Sequence, residues 1–302
     1  GISRSMSDQT NTLTYLKLLL MALFWGGTFI AGRLLVGEVQ PFSAAFLRFS
    51  IASIVLLAVT LRAHKRLPPV QRKQWFPLLI LGLSGVFAYN VFFFRGLQLI
   101  EAGRAAVIIA NNPIVIAIFA AIFFGEKLNL LKVVGITLSV GGAIVVITQG
   151  NPLSLLQRGI ESGDLYILGC VCCWSIYSLV GRTVMNSLSP LISVTYSAVI
   201  GAALLFPAAC LEGLLTQVGN YSLTAWLSLF YLGLFGTVLG FIWYYQGIRK
   251  IGSTRAGQFI NFVPISAILL SAWLLGEPLT TSLLIGVFLV SSGVYLTNRR
   301  PT

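Results

Sequence analysis

Two short amide clusters beside prolines are the residues best placed to do chemistry. Ala110-Asn111-Asn112-Pro113 interrupts one apolar stretch, and Gln258 and Asn261 precede Pro264 in another. Proline has no N–H and frees a carbonyl about one turn back, so each cluster sets amide side chains near an unpaired backbone acceptor. Groups of this kind hold a polar solute by hydrogen bonds and do not attack it. Covalent or metal chemistry would need a cluster of His, Asp, Glu or Cys. The single histidine, His64, lies in a basic segment, and no apolar stretch carries an acid at its centre. Cys170, Cys172, Cys173 and Cys210 have no metal-cage spacing and read as buried free thiols. An enzyme is not expected, nor any cofactor or metal.

Aromatic residues add a second kind of contact. Phe24-Trp25-Gly26-Gly27-Thr28 aligns with Cys173-Trp174-Ser175-Ile176-Tyr177, and each segment sets a tryptophan near the middle of an apolar stretch. Indoles in a membrane usually sit at its interfaces, so a mid-span indole points to a cavity or a helix contact. Tyr89-Asn90 and Tyr244 extend the set. The expected binding wall is therefore Trp25, Tyr89, Asn90, Asn111, Asn112, Trp174, Tyr177, Tyr244 and Asn261, with helix kinks at Pro113 and Pro264. It suits a zwitterionic or amphipathic solute with a flat apolar part. Arg48 could bind a substrate carboxylate, but outward snorkelling or a structural pair weighs ahead of that reading. Glu126 and Glu277, at span ends beside glycine, read as turn or packing residues.

The elements that carry these residues repeat. RGLQLIEAGRAAVIIANNPIVIAIFAAIFFGE, from Arg95, returns as QGIRKIGSTRAGQFINFVPISAILLSAWLLGE, from Gln246, without a gap. Gly96 meets Gly247, Pro113 meets Pro264 and Glu126 meets Glu277, a constant shift that marks a duplication. Of 302 residues, 57% are apolar and only 9% charged, against roughly 25% charged in soluble domains. Apolar runs near 20 residues cross about 30 Å of hydrocarbon as helices. Ten spans are expected, near 13–35, 42–61, 75–95, 102–123, 130–149, 164–182, 190–211, 223–247, 254–275 and 280–297. The predicted fold is an all-α polytopic membrane protein, ten transmembrane helices as a 5+5 inverted repeat around a central cavity. An odd number of spans per copy turns the second copy upside down. The first repeat is expected over 13–150, an external linker over 151–163 and the second repeat over 164–298.

The net charge of +12 marks topology, with no nucleic-acid partner expected. Of the 20 basic residues, only Arg33, Arg48, Arg95, Arg104 and Arg158 fall on the side away from both termini. That bias puts residues 1–12 and 299–302 in the cytoplasm. Gly1 to Ser5 read as a scar before a native Met6, and no cleavable signal follows. Gly135 with Gly141 and Gly142, and Gly286 with Gly293, have the spacing for close helix contact.

With both copies ending in a Gly-Glu-x-Leu motif, Gly125 to Leu128 and Gly276 to Leu279, and sharing Ala105 to Pro113 with Ala256 to Pro264, nearly the whole chain resembles the drug/metabolite transporter superfamily, in its EamA-type ten-helix branch. Its aromatic residues are most similar to YddG-type exporters of aromatic amino acids. The resemblance implies a central cavity bordered by Trp25, Tyr89, Asn111, Asn112 and Trp174. Four-helix cousins use a first-span glutamate that is absent here, which argues against proton-coupled cation export. The expectation is an inner-membrane exporter of neutral amino acids, aromatic ones included, working by alternating access in a lipid bilayer as a monomer. Movement down a gradient is expected. A multidrug or nucleoside exporter is the alternative within the fold, and a channel or receptor the alternative outside it.

Overall fold

A computed structural model describes residues 2–251 and 259–299, which form helices and turns with no strand. Eight helices have the length and hydropathy to cross a membrane: Thr12–Leu34, Pro41–His64, Arg72–Leu99, Ala102–Phe123, Leu130–Thr148, Ser162–Val184, Pro190–Leu211 and Leu223–Tyr244. Two shorter apolar helices, Phe259–Leu275 and Thr281–Thr297, follow as ninth and tenth. Gln258, Arg255 and Ala256 lie outside the described residues. The linker between the halves contains one short helix, Leu153–Arg158.

Sequence sets the helix ends. Pro41 and Pro190 open the second and seventh spans, where the missing N–H leaves no bond unmade. Asn129, Ser189, Ser222 and Thr280 cap the fifth, seventh, eighth and tenth spans through their side-chain oxygens. Gly125 and Gly276 adopt φ of 65° and 66°. Only glycine takes that conformation without strain, so the Gly-Glu pair ends the fourth and ninth spans in the same way.

Contacts between the halves obey an exchange of each span for the one five later. The first span packs on the eighth and ninth, and the sixth packs on the third and fourth. The second contacts the eighth as the seventh contacts the third, while second pairs with seventh and fifth with tenth. This two-fold relation, with five spans on each side of it, is the inverted repeat. The fifth and tenth helices cross closely because a Cβ at Gly135 would stand 2.6 Å from the Gly293 carbonyl and one at Gly142 would stand 2.7 Å from that of Gly286. Gly141, expected in the same contact, faces open space. One helical step, about 100°, separates it from Gly142 and turns it off the seam.

The two ends of the bundle differ. At the end holding the connections after odd-numbered spans, carboxylates bridge to helix N-termini, where backbone N–H groups and the helix dipole favour an anion. Glu212 accepts from the Phe42 and Ser43 N–H groups at 3.2 and 2.9 Å. Glu277 accepts from Ala102 and Gly103 at 3.0 and 3.2 Å. Glu38 accepts from the Ser222 N–H and hydroxyl. Arg104 donates to Asp164 through Nε at 2.8 Å and Nη2 at 2.5 Å, and to the Ile147 carbonyl at 2.9 Å. At the opposite end, which holds the start of the first span, the charged contact among the described residues is the exposed Glu126–Arg182 pair at 3.1 Å.

Candidate functional site

The third and eighth spans widen at corresponding places. Gly82–Ala88 and Tyr231–Leu239 are π-helical. A π turn holds an extra residue and displaces backbone carbonyls from the α ladder, so side chains step in. Asn90 Nδ2 donates to the Val86 carbonyl at 2.9 Å, Thr237 Oγ1 to that of Leu232 at 3.0 Å, and Trp25 Nε1 to that of Gly236 at 3.0 Å. Periodicity hides these turns, but the repeat carries a signal for them. Gly82-Leu83-x-Gly85 recurs as Gly233-Leu234-x-Gly236 at the same shift of 151. The second glycine of each motif lets a side chain of the opposite half approach, Tyr177 over Gly85 and Thr28 over Gly236. Thr28 and Tyr177 are the aligned ends of the two tryptophan segments.

The fourth span breaks at Ala110-Asn111, between helices Ala102–Ile109 and Asn112–Phe123. The ninth passes from a 3₁₀ turn, Phe259–Asn261, into helix Phe262–Leu275, with Pro264 in its first turn. These are the positions expected for the proline kinks. The break separates the two neighbouring asparagines. Asn111 is buried, accepts from the Ser139 hydroxyl at 2.7 Å and donates back to Val107 and Ile108, so its amide ties the fourth span to the fifth. Asn112 faces the central cavity, and its Oδ1 is buried with no hydrogen-bond partner among the described residues.

That cavity has a volume of about 950 Å³ and reaches from the middle of the bundle to the end where Glu126, Lys132 and Arg182 lie. Among its lining residues are Trp25, Tyr89, Asn90, Asn112, Trp174, Tyr177, Tyr244 and Asn261, with both prolines. Of the expected wall, Asn111 alone is not brought to it. The rings form one chain across the two-fold axis. Trp174 stacks on Tyr177 at 5.0 Å, leans on Tyr89 at 5.5 Å and meets Phe241 at 5.9 Å. Phe241 touches Trp25 at 5.8 Å, and Trp25 meets Tyr244 at 5.6 Å. Phe241, the link between the tryptophans, is absent from the expected wall. Its repeat partner is Asn90, a polar residue, so similarity between copies gave no sign of it.

Asn90 lines the cavity while 1% exposed, and its Oδ1 accepts from Arg48 Nη1 at 2.9 Å. Arg48 Nε donates to Thr237 Oγ1 at 3.2 Å, and the guanidinium lies 5.5 Å from the Phe49 ring centre. Arg48 is 7% exposed and points inward, so the snorkelling reading does not hold. Its partners in the described structure are neutral. The cysteines are free, as expected, but Cys172 is exposed, because two helical steps turn it about 200° from buried Cys170, and Cys210, on the seventh span, is only half-buried.

The model of the EamA-like transporter family matches residues 12–148 and again residues 161–299. The chain belongs to the EamA-like transporter family. It is 32% identical over 280 residues to a Bacillus subtilis protein described as the uncharacterized transporter YyaM, covering 93% of this chain and 92% of that one. An uncharacterized transporter of Archaeoglobus fulgidus is 30% identical over 286 residues, covering 95% and 99%. Protein PagO of Salmonella typhimurium is 26% identical over 283 residues, covering 92% and 90%. A solved structure described as "Crystal structure of protein" superposes with a TM-score of 0.65 over 95% of this chain and 97% of that one, at 22% identity, a likeness of fold. In this EamA-like transporter the two matched units are the halves whose facing surfaces form the cavity.

Proposed function

We propose that this transporter exports neutral amino acids, aromatic ones included, across the bacterial inner membrane by alternating access. The observation that carries the reading is the aromatic chain from Tyr89 through Trp174, Phe241 and Trp25 to Tyr244, set beside Asn112 in the lining of one cavity. Flat rings bind an apolar side chain over its faces, and a few placed polar groups fix its orientation. Taking the basic end of the bundle as cytoplasmic, the cavity is open inward and the outer end is closed by Glu212, Glu277 and Glu38. Rocking the two halves about their pseudo-two-fold axis would exchange the open and closed ends.

The cavity volume supports a second reading. At about 950 Å³ it sits near the upper end of ordinary ligand pockets, roughly 300–1,000 Å³, and would also admit a bulkier aromatic drug or nucleoside. Counterflow in proteoliposomes separates the two. Vesicles loaded with unlabelled phenylalanine, leucine or threonine are expected to accumulate the labelled compound. Absence of exchange for all three, with uridine or a cationic dye exchanged instead, would replace the amino-acid reading with the bulkier cargo.

A further inference from the structure

We infer that Arg48 is the docking point for a carboxylate on the transported solute, so that the cavity selects amphipathic carboxylates over their neutral amides. The inference rests on the transport reading of the cavity and names the charge its cargo carries.

Three observations converge on it. The first is charge balance. Among the cavity-lining residues Glu126, Lys132 and Arg182 stand at the mouth, where Glu126 and Arg182 pair with each other. Among the described residues, Arg48 is the one charged lining residue away from that mouth. No acidic side chain among the described residues forms an ion pair with it. A cation within membrane depth is disfavoured unless it is paired or borders a wet cavity, and such residues mark substrate paths.

The second observation is geometry. Thr237 uses the Nε hydrogen and Asn90 uses one Nη1 hydrogen. Both hydrogens of Nη2 and the second of Nη1 have no partner among the described residues. Gly236 puts no side chain of its own against that edge, where a Cβ would stand 3.6 Å from Nη2 and 2.6 Å from the Thr28 methyl. A planar fork with free adjacent donors matches the two oxygens of a carboxylate.

Preorganisation is the third. Asn90 is held by its own bonds to the π-turn carbonyls of Val86 and Gly85. Thr237 is held by Leu232 in the other π turn. Arg48 is thus clamped by one residue from each half, beside the rings of Tyr89 and Trp25 that line the same cavity. A carboxylate on the guanidinium would leave its apolar body to those rings.

The test compares isosteric pairs by thermal stability of the purified full chain. 3-Phenylpropanoate is set against 3-phenylpropanamide, and phenylalanine against phenylalaninamide. Wild-type protein is expected to rise in Tm with each carboxylate at a concentration on the order of tenfold or more below that needed for its amide. Arg48→Gln, whose amide stands where Nε donates to Thr237 but carries no charge and ends short of Asn90, is expected to erase the difference, and Arg48→Lys to restore part of it. Should Arg48→Gln fail to fold, the wild-type and Arg48→Lys preferences carry the test. Equal response to acid and amide in wild type, no response to either, or a preference that survives Arg48→Gln would overturn the inference. Failure of the amino-acid reading is distinguishable. Phenylalanine counterflow could be absent while the phenylpropanoate preference persists and depends on Arg48, which upholds the carboxylate site. Phenylalanine exchange without any acid preference would leave the amino-acid reading standing and remove Arg48 from it.

Discussion

The ring of Tyr177 lies directly against the bare Cα of Gly85, where a methyl group would overlap ring carbons near the base of the tyrosine side chain. Those carbons cannot swing aside as a flexible tip could. Tyr177 is held at its far end by a 3.3 Å contact between its hydroxyl and that of Ser197. Overpacking of a tight contact costs roughly 1–3 kcal/mol. Gly85→Ala is therefore expected to lower Tm and to narrow the cavity beside Trp174. Gly141→Ala, with open space around its Cβ, should be neutral or raise stability by up to about 1 kcal/mol, because alanine is the better helix former. Equal melting of Gly85→Ala and wild type in detergent would contradict the contact.

The duplication, the ten spans and the two helix breaks were legible because each rests on a local rule. Twenty apolar residues need a helix, Pro113 and Pro264 need a break, and Gly125 and Gly276 need a left-handed turn. Orientation about a helix axis was harder to read. Asn111 and Asn112 are neighbours in sequence, yet one is spent on Ser139 and the other faces the cavity, and the irregular turn at Ala110 decides which. Arg48 had three open readings because span depth alone does not say whether a side chain points to lipid or to the interior. The π turns place Asn90 and Thr237 where Arg48 can reach them, and no 3.6-residue pattern encodes that shift.

Glu277 bridges its own span end to the start of the fourth span, accepting from Ala102 and Gly103 with separate oxygens. Glu277→Gln keeps one acceptor but turns an amide donor toward the second N–H and removes the charge at the helix terminus. Loss of such a cap costs about 0.5–2 kcal/mol. If this contact closes that end, the closed state should lose about twofold to thirtyfold in population relative to the alternative. A cysteine at Ala106, in a background lacking the four native cysteines, should then be labelled faster by an impermeant thiol reagent added from that side. Unchanged labelling would show that Glu277 caps a helix without holding the end shut.

Two ion pairs should differ sharply in worth. Asp164 is 0% exposed and takes two hydrogen bonds from Arg104, which leaves both groups with few other partners. Asp164→Asn strands the Arg104 charge, and breaking a buried pair in this way costs roughly 3–5 kcal/mol. Arg182 and Glu126 are 63% and 41% exposed, so water and salt screen them, and exposed pairs contribute about 0–1 kcal/mol. Asp164→Asn should depress Tm and folded yield strongly, while Glu126→Gln should change neither. Comparable effects from the two would mean that burial does not rank these pairs.

Trp174 occupies the junction of the ring chain, in contact with Tyr89, Tyr177 and Phe241 together. It borders open cavity rather than closed core, so truncation enlarges an existing space more than it creates a void. The loss in stability should fall below the roughly 3–5 kcal/mol seen when a fully buried aromatic is cut to alanine. Phe93, buried at 1% exposure, supplies that comparison. Trp174→Ala should lower transport of an aromatic solute by about tenfold, the loss of one well-placed ring contact of roughly 1.4 kcal/mol, while folded protein is recovered near the wild-type level. Phe93→Ala should show the reverse order, with melting affected before flux per folded molecule. Wild-type flux from folded Trp174→Ala would remove the indole from the binding wall and leave it as packing between the halves.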